Sequence, residues 1–274
     1  MQLGRREFLG FLGLVVGCTG TSPATSRLGR PTNSETPDAS RQTPGTTRAG
    51  AAGAGRPSTF ETIAESPPPT DPATTTSVPV AVIEVIERAA WGALPATEGM
   101  VEHTIERLTV HHTGVELGDN REAPSRLRAH QVFHQEDRGW PDLAYHFAID
   151  RAGNVYEGRS PEYRGDTATS YDPTGHFLVV LEGNFDDESV SAPQLSSLID
   201  VLAWGAMEYE VSPEAIKGHR DFARTSCPGN AVYELIQSGV LLTEVSARGG
   251  GRVDLRILRG GEALERVNEI ESGG

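Results

Sequence analysis

Cysteine is scarce in this chain of 274 residues, which holds only Cys18 and Cys227. A structural zinc site built on two or more cysteines is therefore excluded from the globular part of the chain, where Cys227 stands alone. The His-Glu-x-x-His pattern is also absent, which excludes the metallopeptidase helix. No apolar run approaches the roughly 20 residues that a membrane-spanning helix needs.

Basic residues are in deficit. The chain has 24 Lys and Arg against 38 Asp and Glu, a formal net charge of −14. Residues 1–79 are almost neutral, so the negative charge lies in the remainder. Because contacts with phosphates require a basic face, we expect no nucleic-acid partner.

The amino terminus has the features of an export signal. Arg5-Arg6 precedes an apolar run from Phe8 to Gly17, which is typical of a twin-arginine signal and too short for an anchor helix. The run ends at Val15-Val16-Gly17-Cys18, which resembles a bacterial lipobox with Cys18 as the acylated residue. Residues 1–18 therefore predict an exported protein, lipid-anchored to the outer face of the cytoplasmic membrane. The alternative is an ordinary cleaved signal in which Cys18 is incidental.

Residues 19–79 are rich in Thr, Ser, Pro, Ala and Gly and poor in large apolar side chains. Such a segment cannot bury enough surface to offset its chain entropy, so we predict a disordered tether. A flexible coil of this length spans about 40–45 Å. The tether leaves a predicted domain over residues 80–242 and a C-terminal extension over 243–274 to which the sequence assigns no role.

Helical and strand periodicities alternate beyond residue 80. Helices are predicted over 123–136, 193–209 and 263–270, and strands over 143–150, 154–157, 177–181 and 252–258. The inner side of the second helix is predicted to carry Leu195, Leu198, Ile199, Leu202 and Met207. This order predicts an α/β fold, a single domain with a mixed central sheet flanked by helices.

One thiol and two histidine sites form a candidate metal centre. His219 and Cys227 lie within Gly218–Gly229, and His111-His112-Thr113 follows the β-prone Leu108–Val110. Taken singly, such residues more often pack in a core. Cys227, however, precedes Pro228-Gly229 in a predicted loop, where functional side chains concentrate. Three protein ligands with an open fourth position are typical of catalytic zinc, so the pattern predicts a hydrolytic zinc site.

The motifs around these residues resemble the type-2 N-acetylmuramoyl-L-alanine amidases, a family that includes the peptidoglycan recognition proteins. The resemblance covers roughly residues 84–237 and rests on six blocks in the family's order: Arg88–Ala93, Leu108–Gly114, Gly139–Phe147, Gly153–Arg159, Gly183–Phe185 and Gly218–Gly229. It implies the family's α/β fold and a peptidoglycan substrate. The implied reaction is hydrolysis of the amide between N-acetylmuramic acid and L-alanine.

Carried over position by position, the resemblance implies that His111, His219 and Cys227 hold Zn²⁺. Tyr145 and Thr225 match the two positions that flank the scissile carbonyl. His112 is expected on the opposite side of its strand because side chains alternate. His130, His134 and His146 are expected to be packing or surface residues, and Trp140, Trp204 and Tyr171 are candidates for a sugar-binding groove, with core packing favoured for Trp204.

One segment departs from the family pattern. Arg164-Gly165 is followed by Asp166–Thr169, where the family often has a histidine, so no substrate-binding residue is carried over there. Two other functions are weighed against the amidase. One is a tethered domain that binds peptidoglycan without cutting it, which the complete set of ligands and flanking residues disfavours. The other is an amidase of small recycled muropeptides, which the export signal disfavours. We expect a monomer.

Overall fold

A computed structural model describes residues 80–273. This part of the chain folds around one mixed β-sheet with helices on both faces, as the sequence predicts. The strands are β1 (Val80–Ile86), β2 (Arg107–His112), β3 (Phe147–Ile149), β4 (Val155–Glu157), β5 (His176–Leu181), β6 (Ile216–Gly218) and β7 (Arg252–Leu258). The helices are α1 (Ala123–Val132), α2 (Ala192–Glu208), α3 (Asn230–Gln237), α4 (Val240–Gly249) and α5 (Gly260–Ser272).

The sheet order is β6-β2-β5-β3-β4-β1-β7. Neighbouring strands pair in parallel except β3 and β4, which form the predicted antiparallel hairpin. The interior strand β5 is buried along its whole length. A parallel strand that is covered on both faces has a continuous apolar sequence. For this reason the sequence predicts the strand over residues 177–181.

Alternating side chains divide the sheet into two cores. Phe177, Val179 and Leu181 of β5 face one core, to which α2 and α4 also contribute. Val180 faces the second core, which contains residues of α1 and α5. The side chains of β2 alternate in the same way. Val110 points into the first core, so the next residue, His111, points to the α1 side of the sheet, where the candidate functional site lies.

The predicted helices have clear local causes. Ser191 accepts a hydrogen bond from the Gln194 backbone N–H at 3.2 Å and caps α2, and Pro193 stands in the first turn. Leu198 and Leu202 of α2 are buried, but Met207 is 41% exposed, so its predicted place on the inner side is wrong. Nine residues at 100° each put Met207 on the side of the helix opposite to Leu198.

The predicted helix over 123–136 is confirmed with one irregularity. After α1 the backbone continues as a π-helix over Phe133–Asp137. Such wide turns occur frequently at functional sites. The first strand of the hairpin, predicted over 143–150, is shorter and covers only Phe147–Ile149.

The carboxyl-terminal extension is built into this fold. β7 pairs in parallel with β1 over seven residues and forms the edge of the sheet. α5 packs Ala263, Val267 and Ile270 into the second core, beside Leu127 of α1. The predicted signal (1–18), the predicted tether (19–79) and Cys18 lie outside the described residues. Within residues 80–273, no helix is both long and apolar enough to cross a bilayer.

Candidate metal centre and pocket

The sheet register brings the two candidate histidine ligands together. β2 and β6 are parallel neighbours with Val110 opposite Gly218, so His111, within β2, lies beside His219, which directly follows β6. Their ring centroids are 4.6 Å apart. Because Val110 points into the first core, His111 points to the opposite face.

Cys227 approaches the same face from the loop before α3. Its Sγ lies 3.6 Å from His111 Nδ1 and accepts the backbone N–H of His112 at 3.4 Å. One ligand atom from each of His111, His219 and Cys227 lies within 4.8 Å of the other two. All three residues are buried. No second group of three or more His, Cys, Asp or Glu residues with this geometry was found over residues 80–273.

The protonation states of this donor set suit Zn²⁺. Burial, with His219 as a neighbour, holds the pKa of His111 well below its ordinary value. Burial also lowers the pKa of His219 to about 4. Both imidazoles are therefore neutral near pH 7, as metal ligation requires. His111 Nε2 is a buried polar atom with no hydrogen-bond partner in the described residues. One cysteine sulfur and two neutral imidazoles fit a zinc site with an open position.

The loop over residues 166–169 holds the second histidine. Thr169 Oγ1 is 2.8 Å from His219 Nε2, which leaves Nδ1 as the nitrogen available to a metal. The loop is in turn held by Arg159, which is 1% exposed and pairs with Asp166 at 2.6 Å. Sequence reasoning missed Thr169, because a loop without periodicity gives no signal for a contact fifty residues away. Hydrogen bonds of this kind fix the ring orientation of metal-ligating histidines.

A pocket opens over these residues. Its floor includes His111, His219 and Cys227, and one wall is formed by residues 166–169. The opposite wall is formed by α1, the π-helix and the residues that follow it, and includes His130, Phe133, His134, Arg138 and Trp140. The wall residues of α1 and the π-helix recur at three- and four-residue spacing, which puts them on one face of the helix.

Tyr145 lies in this pocket, with its ring centroid 5.2 Å from that of His111. Thr225 is not among the residues that line the pocket. Its Oγ1 accepts the backbone N–H of Cys227 at 3.2 Å and so shapes the loop that carries the thiol. A direct role of Thr225 in the reaction remains a prediction.

The remaining histidines occupy different environments. His146 is a packing residue, as predicted, and bonds to the backbone of Leu178 and Tyr163. His130 and His134, for which the same role was expected, line the pocket. His112 is excluded from the ligand cluster, and its Nδ1 accepts the Phe185 N–H at 3.4 Å. Burial lowers the pKa of His112 to about 4.

The three aromatic residues that were candidates for a sugar-binding groove lie in different places. Trp140 lines the pocket, with its ring centroid 4.8 Å from that of His134. Trp204 packs against the first core, as favoured from the sequence. Tyr171 packs its ring 5.1 Å from that of His219 and lies outside the pocket.

Comparison with known proteins identifies the family. The family model described as N-acetylmuramoyl-L-alanine amidase matches residues 101–230. Peptidoglycan recognition protein 1 of Mus musculus is 30% identical over 158 residues, which cover 56% of this chain and 86% of the relative. The chain therefore belongs to the family of peptidoglycan recognition proteins and N-acetylmuramoyl-L-alanine amidases.

Two further matches define the extent of the similarity. The human N-acetylmuramoyl-L-alanine amidase is 31% identical over 158 residues, 55% of this chain but only 27% of that protein. The crystal structure of Drosophila peptidoglycan recognition protein SD has 28% sequence identity and a TM-score of 0.52, and the match covers 59% of this chain and 94% of that one. These matches agree with the α/β fold described above.

Proposed function

We propose that this protein is an exported zinc amidase that hydrolyses the bond between N-acetylmuramic acid and L-alanine in peptidoglycan. The observation that carries the proposal is the convergence of His111, His219 and Cys227 within 4.8 Å on the floor of a pocket that also contains Tyr145. His111, His219 and Cys227 would hold Zn²⁺, which when bound would supply the Lewis acid needed for hydrolysis of an amide near neutral pH.

The chain's own residues have separable tasks. Thr169 orients His219 through the 2.8 Å contact with its Nε2. Tyr145 stands beside His111 and is suited to donate a hydrogen bond from its O–H to an oxyanion, because a phenol ordinarily keeps its proton at neutral pH. The two walls of the pocket are the surfaces available to hold the glycan and the stem peptide.

A pair of variants tests the assignment. Cys227→Ala removes one of three ligands, so the folded protein should bind little zinc and show no amidase activity. Tyr145→Phe leaves the ligands intact, so zinc should stay bound while the rate falls by roughly 10²–10³-fold, as for the loss of one oxyanion donor. Tyr163→Phe, outside the pocket, is the matched control. Zinc content, circular dichroism and mass spectrometry of peptidoglycan digests measure these effects.

The outcomes separate cleavage from recognition. Several similar proteins carry the name of recognition proteins, and a domain that only binds would retain cell wall and release no product. Wild-type protein that binds zinc and peptidoglycan but releases no product would make this chain a recognition domain. Full zinc occupancy and near-normal cleavage in Cys227→Ala would remove His111, His219 and Cys227 from the mechanism.

The proposed location rests on the amino-terminal sequence. Arg5-Arg6, the apolar run and Cys18 support export followed by lipid anchoring at the outer face of the membrane. An enzyme tethered there through residues 19–79 would meet assembled peptidoglycan. The recycled fragments of the cell interior would lie out of its reach.

A further inference from the structure

The pocket wall over residues 166–169 carries a chain of hydrogen-bonded hydroxyl groups. Thr167 Oγ1 lies 2.8 Å from Thr169 Oγ1, which in turn lies 2.8 Å from His219 Nε2. Thr167 Oγ1 also accepts the backbone N–H of Thr169 at 3.1 Å. All three residues line the pocket. The chain therefore connects one candidate metal ligand to the space in which a substrate would lie.

A buried arginine holds this wall in place. Arg159 is 1% exposed and donates hydrogen bonds to the Arg164 carbonyl and to Asp166, each at 2.6 Å. Gly165, which lies between these two acceptors, packs so closely against the carbonyl oxygen of Ala144 that a Cβ atom would not fit. The backbone at the start of the wall is thus fixed from two sides, which keeps the hydroxyl groups that follow it in position.

The direction of donation along the chain follows from the candidate metal site. With Nδ1 of His219 assigned to the metal, Nε2 carries the ring proton and donates it to Thr169 Oγ1. Within residues 80–273 the only acceptor left for the Thr169 hydroxyl proton is Thr167 Oγ1. Thr167 Oγ1 therefore accepts twice, once from the hydroxyl and once from the backbone N–H of Thr169. Both of its lone pairs are then occupied.

The hydroxyl proton of Thr167 has no acceptor in the described part of the chain, although the residue is half-buried in the pocket wall. Thr113, another threonine of the pocket, differs because it donates to the Gly183 carbonyl at 3.3 Å and accepts the Gly183 N–H at 3.1 Å. A hydroxyl whose lone pairs are both in use can only donate. The group that Thr167 can bind is therefore an acceptor oxygen, and amide carbonyls are the neutral acceptors of a muropeptide.

We propose that Thr167 donates its hydroxyl proton to a carbonyl oxygen of the peptidoglycan substrate and that Thr169 links this contact to His219, an inference that rests on the proposed amidase function. Thr167 is then a substrate-binding residue, and Thr169 is a positioning residue that acts through His219. Each donor in such a chain polarises the next, so a substrate carbonyl at its end strengthens the hydrogen bond to His219. The carbonyl belongs either to the N-acetyl group of the sugar or to the stem peptide.

Zinc affinity tests the metal end of the chain without any turnover. Thr169→Val removes the hydroxyl at nearly constant shape, so zinc should bind about 10–100-fold more weakly, and Thr169→Ser should restore the affinity. Thr167→Val should have a smaller effect. The double variant should bind zinc no more weakly than Thr169→Val alone, because the chain is already broken. Competition with a chelator measures these affinities, and Ser170→Ala, exposed beside the wall, is the control.

Muropeptide binding to the zinc-loaded protein tests the substrate end. The Kd, measured by rapid mixing before cleavage, should rise by roughly 10-fold in Thr167→Val through the loss of one hydrogen bond and return to the wild-type value in Thr167→Ser. A second muropeptide that lacks the N-acetyl group identifies the carbonyl. If Thr167 binds the acetyl carbonyl, wild type and Thr167→Val should bind this ligand equally, whereas a contact with the stem peptide should preserve the difference.

Binding and cleavage are measured separately, so the two proposals can fail independently. Weaker binding in the valine variants and rescue by serine, without product from wild type, would leave the chain standing and overturn the amidase. Equal Kd values of wild type and Thr167→Val for the acetylated muropeptide would overturn the substrate contact. Additive losses of zinc affinity in the double variant would overturn the link to His219. Circular dichroism confirms folding, and alanine replaces any valine variant that does not fold.

Discussion

At the scale of single residues, His146 couples stability to pH. Burial lowers its pKa to about 3, and the ring accepts the Leu178 N–H at 2.9 Å and donates to the Tyr163 carbonyl at 3.0 Å as a neutral imidazole. The unfolded chain has the ordinary pKa of about 6.5. Between these values the unfolded state binds a proton that the folded state does not. Stability is therefore fully present above pH 6.5 and decreases as the pH falls toward 3.

At pH 5 His146 should lower the free energy of unfolding by about 2 kcal/mol, because each pH unit between 6.5 and the folded-state pKa costs about 1.4 kcal/mol. The glutamine in His146→Gln cannot take up this proton. As the pH decreases, the free energy of unfolding of this variant should therefore fall less steeply than that of wild type. Urea unfolding at pH 7, 6, 5 and 4 gives the slopes, and Thr243→Ala on the exposed face of α4 serves as the control. Parallel curves for His146→Gln and wild type would contradict the prediction.

Residue identities in the site were more predictable than their contacts. Motif and chemistry pointed to His111, His219 and Cys227, and the sheet register explains how residues so distant in sequence meet. Thr169 gave no such signal. A threonine in an aperiodic loop acquires its partners only through tertiary contacts.

At the scale of secondary-structure elements, α5 packs into the second core although it lies in the C-terminal extension, to which the sequence assigns no role. Ile270 is 8% exposed and packs in the second core, whereas Leu264 on the same helix is 50% exposed. Ile270→Ala should cost about 2–5 kcal/mol of unfolding free energy through lost burial and a cavity. Leu264→Ala should change stability by no more than about 0.5 kcal/mol. Chemical denaturation of both variants measures the difference, and equal effects would place α5 outside the cooperative core.

Periodicity predicted the existence of elements better than their limits. The strand over 252–258 and the helix over 263–270 were both predicted, yet the sequence could not show that β7 pairs with β1 or that α5 packs beside α1. Pairing depends on long-range register, which local patterns do not encode. The prediction that Met207 lies on the inner side of α2 was wrong for a simpler reason. An apolar residue at the end of a helix need not lie on the buried side.

At the scale of the whole molecule, the acidic charge and the amino-terminal sequence bear on where the protein acts. A formal charge of −14 gives it no electrostatic attraction to anionic polymers, so recognition must come from the pocket. Attachment at the membrane would raise the local concentration of such an enzyme near its substrate without requiring a binding charge.

The anchor itself can be tested through Cys18, which directly ends the apolar run of the predicted signal. In a bacterial host, Cys18→Ala should move the protein from the membrane fraction to the soluble exported fraction, because a thiol is required for acylation. Its specific activity should be unchanged, since the pocket is formed by residues beyond position 80. Ser22→Ala, four residues downstream, is the matched control and should remain in the membrane fraction. Fractionation and mass spectrometry of the amino-terminal peptide decide the question, and wild-type protein found soluble with an unmodified Cys18 would make the segment an ordinary cleaved signal.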